Sequence, residues 1–153
     1  MPYKSMNNIT GWIVFLIALV VYSLTIEQTT SFWDCGEFIS GAFKLQVVHP
    51  PGAPMFLMIA RVFAWFGDIL SVNPGDTVAY AVNFLSGLCS ALTILFLFWS
   101  ITALAKKLVK TENGEMSMGD KLAIMGSGIV GGLACTFADT FWFSAVEGEV
   151  YAM

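Results

Sequence analysis

The chain of 153 residues is 57% hydrophobic and only 12% charged, with a mean hydropathy of +0.75 and a formal net charge of −4. Soluble domains carry roughly 25% charged residues, so this balance excludes an ordinary soluble domain and points to a polytopic helical membrane protein. No basic patch with interleaved aromatics occurs, which excludes nucleic acid as a partner.

The first apolar run covers residues 9–26 and follows Lys4. No small-x-small cleavage site follows it, so it reads as an uncleaved first span rather than a secretory signal. Two more runs, about 78–105 and 122–143, are long enough to cross ~30 Å of hydrocarbon at ~1.5 Å per residue. Cys89 and Cys135 fall inside these spans as small packing residues, and Cys35 lies in the first loop. Three cysteines at wide spacing give neither a disulfide framework nor a zinc pattern. In the second span Ala79, Asn83, Gly87 and Ala91 recur every four residues, as do Gly128 and Gly132 in the third. Small residues at that spacing predict close helix packing, with Asn83 as an interhelical hydrogen-bonding group rather than a site residue.

The loop 27–77 holds two further helical patterns. Over 35–46, Glu37, Ser40, Gly41 and Lys44 share one face, while Phe38, Ile39, Ala42, Phe43 and Leu45 fall largely on the other. Asp34-x-x-Glu37 before this run has the spacing of a capping box. Over 54–66, Pro54 suits a first helical position and Gly67 a C-terminal cap. That stretch is short for a span and carries Arg61, so it is expected in the interface or against the bundle.

Lys106, Lys107, Lys110 and Lys121 cluster between the second and third spans, and Lys4 precedes the first. The positive-inside rule then places the N-terminus in the cytoplasm. Loop 27–77 and the final "EGEVYAM" share the outer face. Asp34, Glu37, Glu147 and Glu149 collect there, and Asp139 approaches from within the third span. Acids spread in depth, as an ion pathway needs, are not seen.

Within the loop, His49 is stiffened by Pro50 and Pro51, which restrict the backbone on either side of them. Arg61 reads either as an arginine snorkelling to headgroups or as a planar cation for phosphate. Two facing acids suit a divalent ion, but no ligand spacing argues for one, and no cofactor is expected. Phe141 and Trp142 fit an interfacial aromatic belt. The chain closes on "FWFSAVEGEVYAM" just after a span, as the N-terminal part of a longer protein would.

"WDCGEFISGAFKLQVVHPPGAP" and the later "EGEVYAM" resemble the protein O-mannosyltransferases of the GT-C superfamily of membrane glycosyltransferases. They are more closely similar to a large bacterial family long labelled as of unknown function, whose animal relatives are transmembrane O-mannosyltransferases. One departure stands out: many O-mannosyltransferases have adjacent Asp-Glu, and here Cys35 follows Asp34. The resemblance implies the N-terminal portion of a GT-C-like fold: three transmembrane helices plus interfacial helices in the first outer loop. It implies an integral protein of a bacterial inner membrane with its active face extracytoplasmic. The implied reaction moves a sugar, mannose for this family, from a polyprenyl-phosphate donor in the bilayer to a hydroxyl of an acceptor protein. By the same resemblance Asp34 is the candidate base, and Glu37, the other candidate catalytic residue, orients acceptor or sugar hydroxyls. Lys44, His49 and Arg61 are the nearby candidates for the phosphate, and Glu149 for substrate hydroxyls. Two other readings stay open: a transporter or flippase-like protein, and a non-catalytic membrane assembly factor.

Overall fold

The apolar run behind Lys4 forms α1, Tyr3–Thr25. It belongs to a computed structural model that describes residues 2–71, 77–109 and 116–152; Lys110 lies outside them. The remaining helices are α2 (Cys35–Lys44), α3 (Pro54–Leu70), α4 (Val78–Leu108), α5 (Met118–Thr136) and α6 (Asp139–Val146), followed by a 3₁₀ turn at Val150–Ala152. Among the described residues there is no strand, as expected of an all-α membrane protein. Two helices, α1 and α4, are long and apolar enough to cross a membrane, and α5 with α6 makes a third if the pair is one broken span.

The described chain divides into two units, residues 1–20 with 91–138 and residues 21–90 with 139–153. In the first unit the N-terminal part of α1, the C-terminal part of α4, and α5 pack around Val14, Ala18, Ile94, Phe98 and Ile124, all at most 2% exposed. Large apolar side chains face outward instead: Ile9, Ile13, Leu16, Phe96, Leu104 and Val130 are each more than half exposed. This arrangement, close packing inside and large aliphatics outside, suits lipid as the solvent. Tyr3 donates to the Thr102 carbonyl (3.5 Å), and Lys106 Nζ stands 5.0 Å from the Tyr3 ring centre. The start of α1 thus lies beside the end of α4, and Lys4 shares an end of this unit with Lys106 and Lys107. Gly128 works as its spacing predicts: a Cβ there would lie 2.7 Å from both Phe98 and Thr102.

The second unit contains α2, α3, the first half of α4, α6 and the 3₁₀ turn. Phe38, Ile39 and Ala42 of α2 meet Phe56, Leu57, Ala60 and Ala64 of α3 and Val82 and Leu85 of α4 in one core. The Phe38 and Phe56 rings meet edge to face at 5.7 Å. α3 runs past the expected end at residue 66. Gly67 is not its cap: it lies inside the helix, where a Cβ would come 2.8 Å from the Thr77 carbonyl oxygen and 2.9 Å from Ala81 Cβ. The glycine is there to let α3 and the start of α4 touch.

The expected continuous run 122–143 is interrupted at Phe137–Ala138. Phe137 N–H still reaches the Leu133 carbonyl (3.1 Å), but Ala138 N–H turns to Cys135 (3.1 Å), and a new helix begins at Asp139. An acid in a first helical turn complements the positive end of the helix dipole. Asp139 therefore marks a helix start. Trp142 of α6 donates through Nε1 to Thr25 Oγ1 (3.1 Å), which ties α6 to the end of α1.

Enlarging Gly128 must push Phe98 and Thr102 aside, at about 1–3 kcal/mol for an overpacked core. Gly128→Leu is expected to lower the melting temperature of the detergent-purified protein, with Gly126→Leu as the control because a Cβ at Gly126 meets nothing within 4 Å.

Candidate active site

The expected capping box at Asp34 and Glu37 does not form. Asp34 precedes α2 with φ −82° and ψ −5°, and its side chain caps no backbone N–H. The reason lies twelve residues on. Glu37 Oε1 accepts the backbone N–H of His49 (2.7 Å), and Glu37 Oε2 stands 2.9 Å from His49 Nδ1. A carboxylate committed to both groups of His49 cannot also turn back to the helix start. A capping box does form in this chain, between Ser117 and Asp120 at the head of α5.

Local structure brings His49 back to α2. Leu45 ends α2 at φ 51°, in the left-handed region, and Gln46 N–H reaches the Gly41 carbonyl (2.9 Å). Val48 then turns inward against α2 and is buried. After His49 the chain turns again, with Gly52 at φ 79° donating its N–H to the His49 carbonyl (2.9 Å). The result is a cluster in which His49 Nδ1 faces Glu37 and His49 Nε2 faces Asp34 Oδ2 at 3.8 Å. All three side chains are about half exposed: Asp34 53%, His49 46% and Glu37 43%. The side-chain hydrogen bond from His49, aided by the His49 backbone N–H, holds Glu37 below the usual carboxylate range. The same hydrogen bond raises His49 above an ordinary imidazole, with the charges of Glu37 and Asp34 adding to it.

Asp34 and His49 line a cavity of about 200 Å³ together with Phe38, Pro51, Glu149 and Tyr151, among others. Glu149 enters from the end of the chain, its N–H held by the Glu147 carbonyl (2.9 Å) and by Ser86 Oγ of α4 (3.3 Å). Burial pushes its carboxyl above the usual range, and the charges of Glu147 and Asp34 push the same way. Four of the six residues singled out in the sequence thus come together: Asp34, Glu37, His49 and Glu149.

Lys44 and Arg61 do not join them. Lys44 is in the last turn of α2, ~15 Å along the axis from Asp34 at ~1.5 Å per residue. Arg61 donates from Nη1 to the Phe43 carbonyl and lies 5.4 Å from the Phe43 ring centre. Its guanidinium satisfies the carbonyl end of α2, where a cation also complements the helix dipole.

Asn83 is the residue that spacing undervalued. It is fully buried, and its amide nitrogen donates to the carbonyls of Glu27 (2.7 Å) and Thr29 (3.0 Å). Its oxygen faces the thiol of Cys35 (3.8 Å), and Gly148 packs so closely that a Cβ would lie 2.9 Å from that oxygen. One side chain thus joins the loop after α1, the residue following Asp34 and the residue preceding Glu149. An asparagine four residues from small neighbours on a span was the only signal for it in the sequence.

Removing the Asn83 amide takes a donor from two part-buried carbonyls, at about 0.5–1.5 kcal/mol for each hydrogen bond lost. Asn83→Ala is expected to lower the melting temperature and to open residues 27–33 to proteolysis. Glu37→Ala is expected to leave the melting temperature little changed while His49 amide hydrogen exchange rises about tenfold or more, as a local opening does.

The comparisons agree with the resemblance seen in the motifs. The family described as "Protein O-mannosyl-transferase TMEM260 N-terminal domain" matches residues 34–153. A mouse protein named Protein O-mannosyl-transferase TMEM260 is 35% identical over 92 residues, which is 60% of this chain and 12% of that protein. A Dictyostelium discoideum protein named Protein O-mannosyl-transferase tmem260 is 23% identical over 143 residues, 92% of this chain and 15% of that protein. The chain therefore spans less than a sixth of the length of these relatives. No solved structure matches. The matched segment holds the whole Asp34–Glu37–His49 cluster, Asn83 and Glu149, and by it the chain belongs to the protein O-mannosyl-transferase TMEM260 N-terminal domain family.

Proposed function

We propose that this chain supplies the acceptor-activating rim of a membrane glycosyltransferase. The full-length enzyme moves a sugar, mannose by the family's name, from a polyprenyl-phosphate donor to a serine or threonine hydroxyl of a protein. Two facts support this reading: the relatives are named protein O-mannosyl-transferases, and a half-exposed carboxylate stands beside an oriented imidazole in one cavity. The observation that carries it is Asp34. Its carboxylate is left free of helix capping, is half exposed, and lines a cavity shared with His49 and Glu149.

In this reading the acceptor oxygen attacks the anomeric carbon as Asp34 takes the hydroxyl proton. The bond from that carbon to the phosphate oxygen breaks, and the prenyl phosphate departs in the bilayer. Proton removal by a positioned carboxylate is worth about 10²–10⁴-fold. Glu37 acts through His49, fixing the imidazole beside the base. His49 and Glu149 line the cavity beside the base, where the reacting groups meet. Lys44 and Arg61 stand at the far end of α2, with Arg61 engaged at Phe43, so they meet the donor phosphate only if it extends that far.

The reaction face is extracytoplasmic. Support comes from the lysines: Lys4, Lys106 and Lys107 gather at one end of the first unit, and Lys121 lies in the early turns of α5. The positive-inside rule assigns such an end to the cytoplasm.

In the full-length protein, Asp34→Asn is expected to cut sugar transfer by about 10²-fold or more while expression and melting temperature stay unchanged. Transfer at the parental rate would remove Asp34 as the base. Sidedness is tested with Lys107→Cys in intact cells: an impermeant maleimide should label it only after permeabilisation, and ready labelling from outside would reverse the orientation.

A further inference from the structure

We infer that the cavity beside α2 binds a divalent transition-metal ion through His49 Nε2 and Asp34 Oδ2, with Glu149 as a further ligand from the end of the chain. The spacing carries the inference. His49 Nε2 and Asp34 Oδ2 are 3.8 Å apart, too far for a hydrogen bond. Two donors that share one ion at ligand distances of about 2.0–2.2 Å lie up to ~4 Å from each other. Glu149 lines the same cavity as both groups.

The imidazole is already oriented for this role. Histidine ligands usually give their second ring nitrogen to a carboxylate, which fixes the tautomer and raises ligand basicity. Glu37 does this at Nδ1 (2.9 Å), leaving the Nε2 lone pair for the ion once its proton is displaced. Because both Glu37 oxygens are occupied by His49, Glu37 is the outer partner rather than a ligand. A nitrogen and carboxylate oxygens together suit Mn²⁺ or Zn²⁺ better than Ca²⁺, which prefers oxygen alone.

Charge is the independent argument. The residues lining the cavity include two carboxylates, Asp34 and Glu149, against one imidazole, His49, and no lysine or arginine. A cation there balances the acids. In the transferase reading, on which its role but not its binding rests, the same ion offers the donor phosphate a positive partner. Asp34 then binds the ion through Oδ2 and keeps Oδ1 for the acceptor hydroxyl.

The test uses the full-length protein, purified in detergent, stripped with a chelator and titrated with Mn²⁺ without any donor. Electron paramagnetic resonance is expected to show one bound Mn²⁺ per chain with ¹⁴N modulation from an imidazole. His49→Gln should abolish that modulation. Asp34→Asn should weaken binding about tenfold or more, and Glu37→Gln by about 10–100-fold through the outer partner. Absence of bound Mn²⁺, or modulation unchanged in His49→Gln, would overturn the site. If His49→Gln does not fold, Asp34→Asn decides, since unchanged Mn²⁺ affinity there also overturns it. Loss of transfer in Asp34→Asn with Mn²⁺ binding intact would remove the metal and leave the transferase standing.

Discussion

The pairing of Glu37 with His49 governs the rest of the site. One carboxylate takes both the backbone N–H and the ring of a residue twelve positions on. Hydrogen bonds to an ionised acceptor are roughly twice as strong as neutral ones. A local capping contact offers Glu37 only one backbone N–H. The longer-range pairing therefore wins, with three consequences. The loop folds back onto α2, the imidazole is held with Nε2 toward Asp34, and Asp34 keeps its carboxylate for other work.

Beneath this half-exposed cluster lies a buried polar post. Asn83 sits on α4, the longest of the described helices, and donates to the carbonyls of Glu27 and Thr29. Losing such a donor away from water is costly, and that cost gives the amide its grip. Because Asn83 also touches Cys35 and is approached by Gly148, α4 sets the positions of segments that carry Asp34 and Glu149. Ser86, one turn along α4 from Asn83, holds the Glu149 N–H in the same way. A span helix thus works as the ruler for a site built from two loops.

The charge distribution bears on mechanism. Acids gather at the cavity while Arg61 is spent on the end of α2. Under the proposed transferase reading, an anionic lipid phosphate needs a positive partner. The proposed bound cation supplies one. The chain brings together a half-exposed carboxylate, a fixed imidazole and a partly buried carboxyl, the groups to which the proposed acceptor role is assigned.

Much of the architecture was legible in the amino-acid order because it rests on local rules. Apolar runs gave α1 and α4, a 3.6-residue pattern gave α2, and small residues every four positions marked Gly128 as a contact. The Asp34, Glu37 and His49 motif was visible too, and so was its family. The sequence did not say what each polar group pairs with. Glu37 had the spacing of a cap and Gly67 that of a helix stop, since each fits its neighbours in the chain, and Arg61 read as a cation for headgroups or for phosphate. Their actual partners, His49 for Glu37, Thr77 with Ala81 for Gly67 and Phe43 for Arg61, lie ten or more residues away. Helical periodicity follows from each residue's own backbone geometry, so it is written in the sequence. The choice among competing partners for a carboxylate, a guanidinium or a bare Cα is made only when distant segments meet.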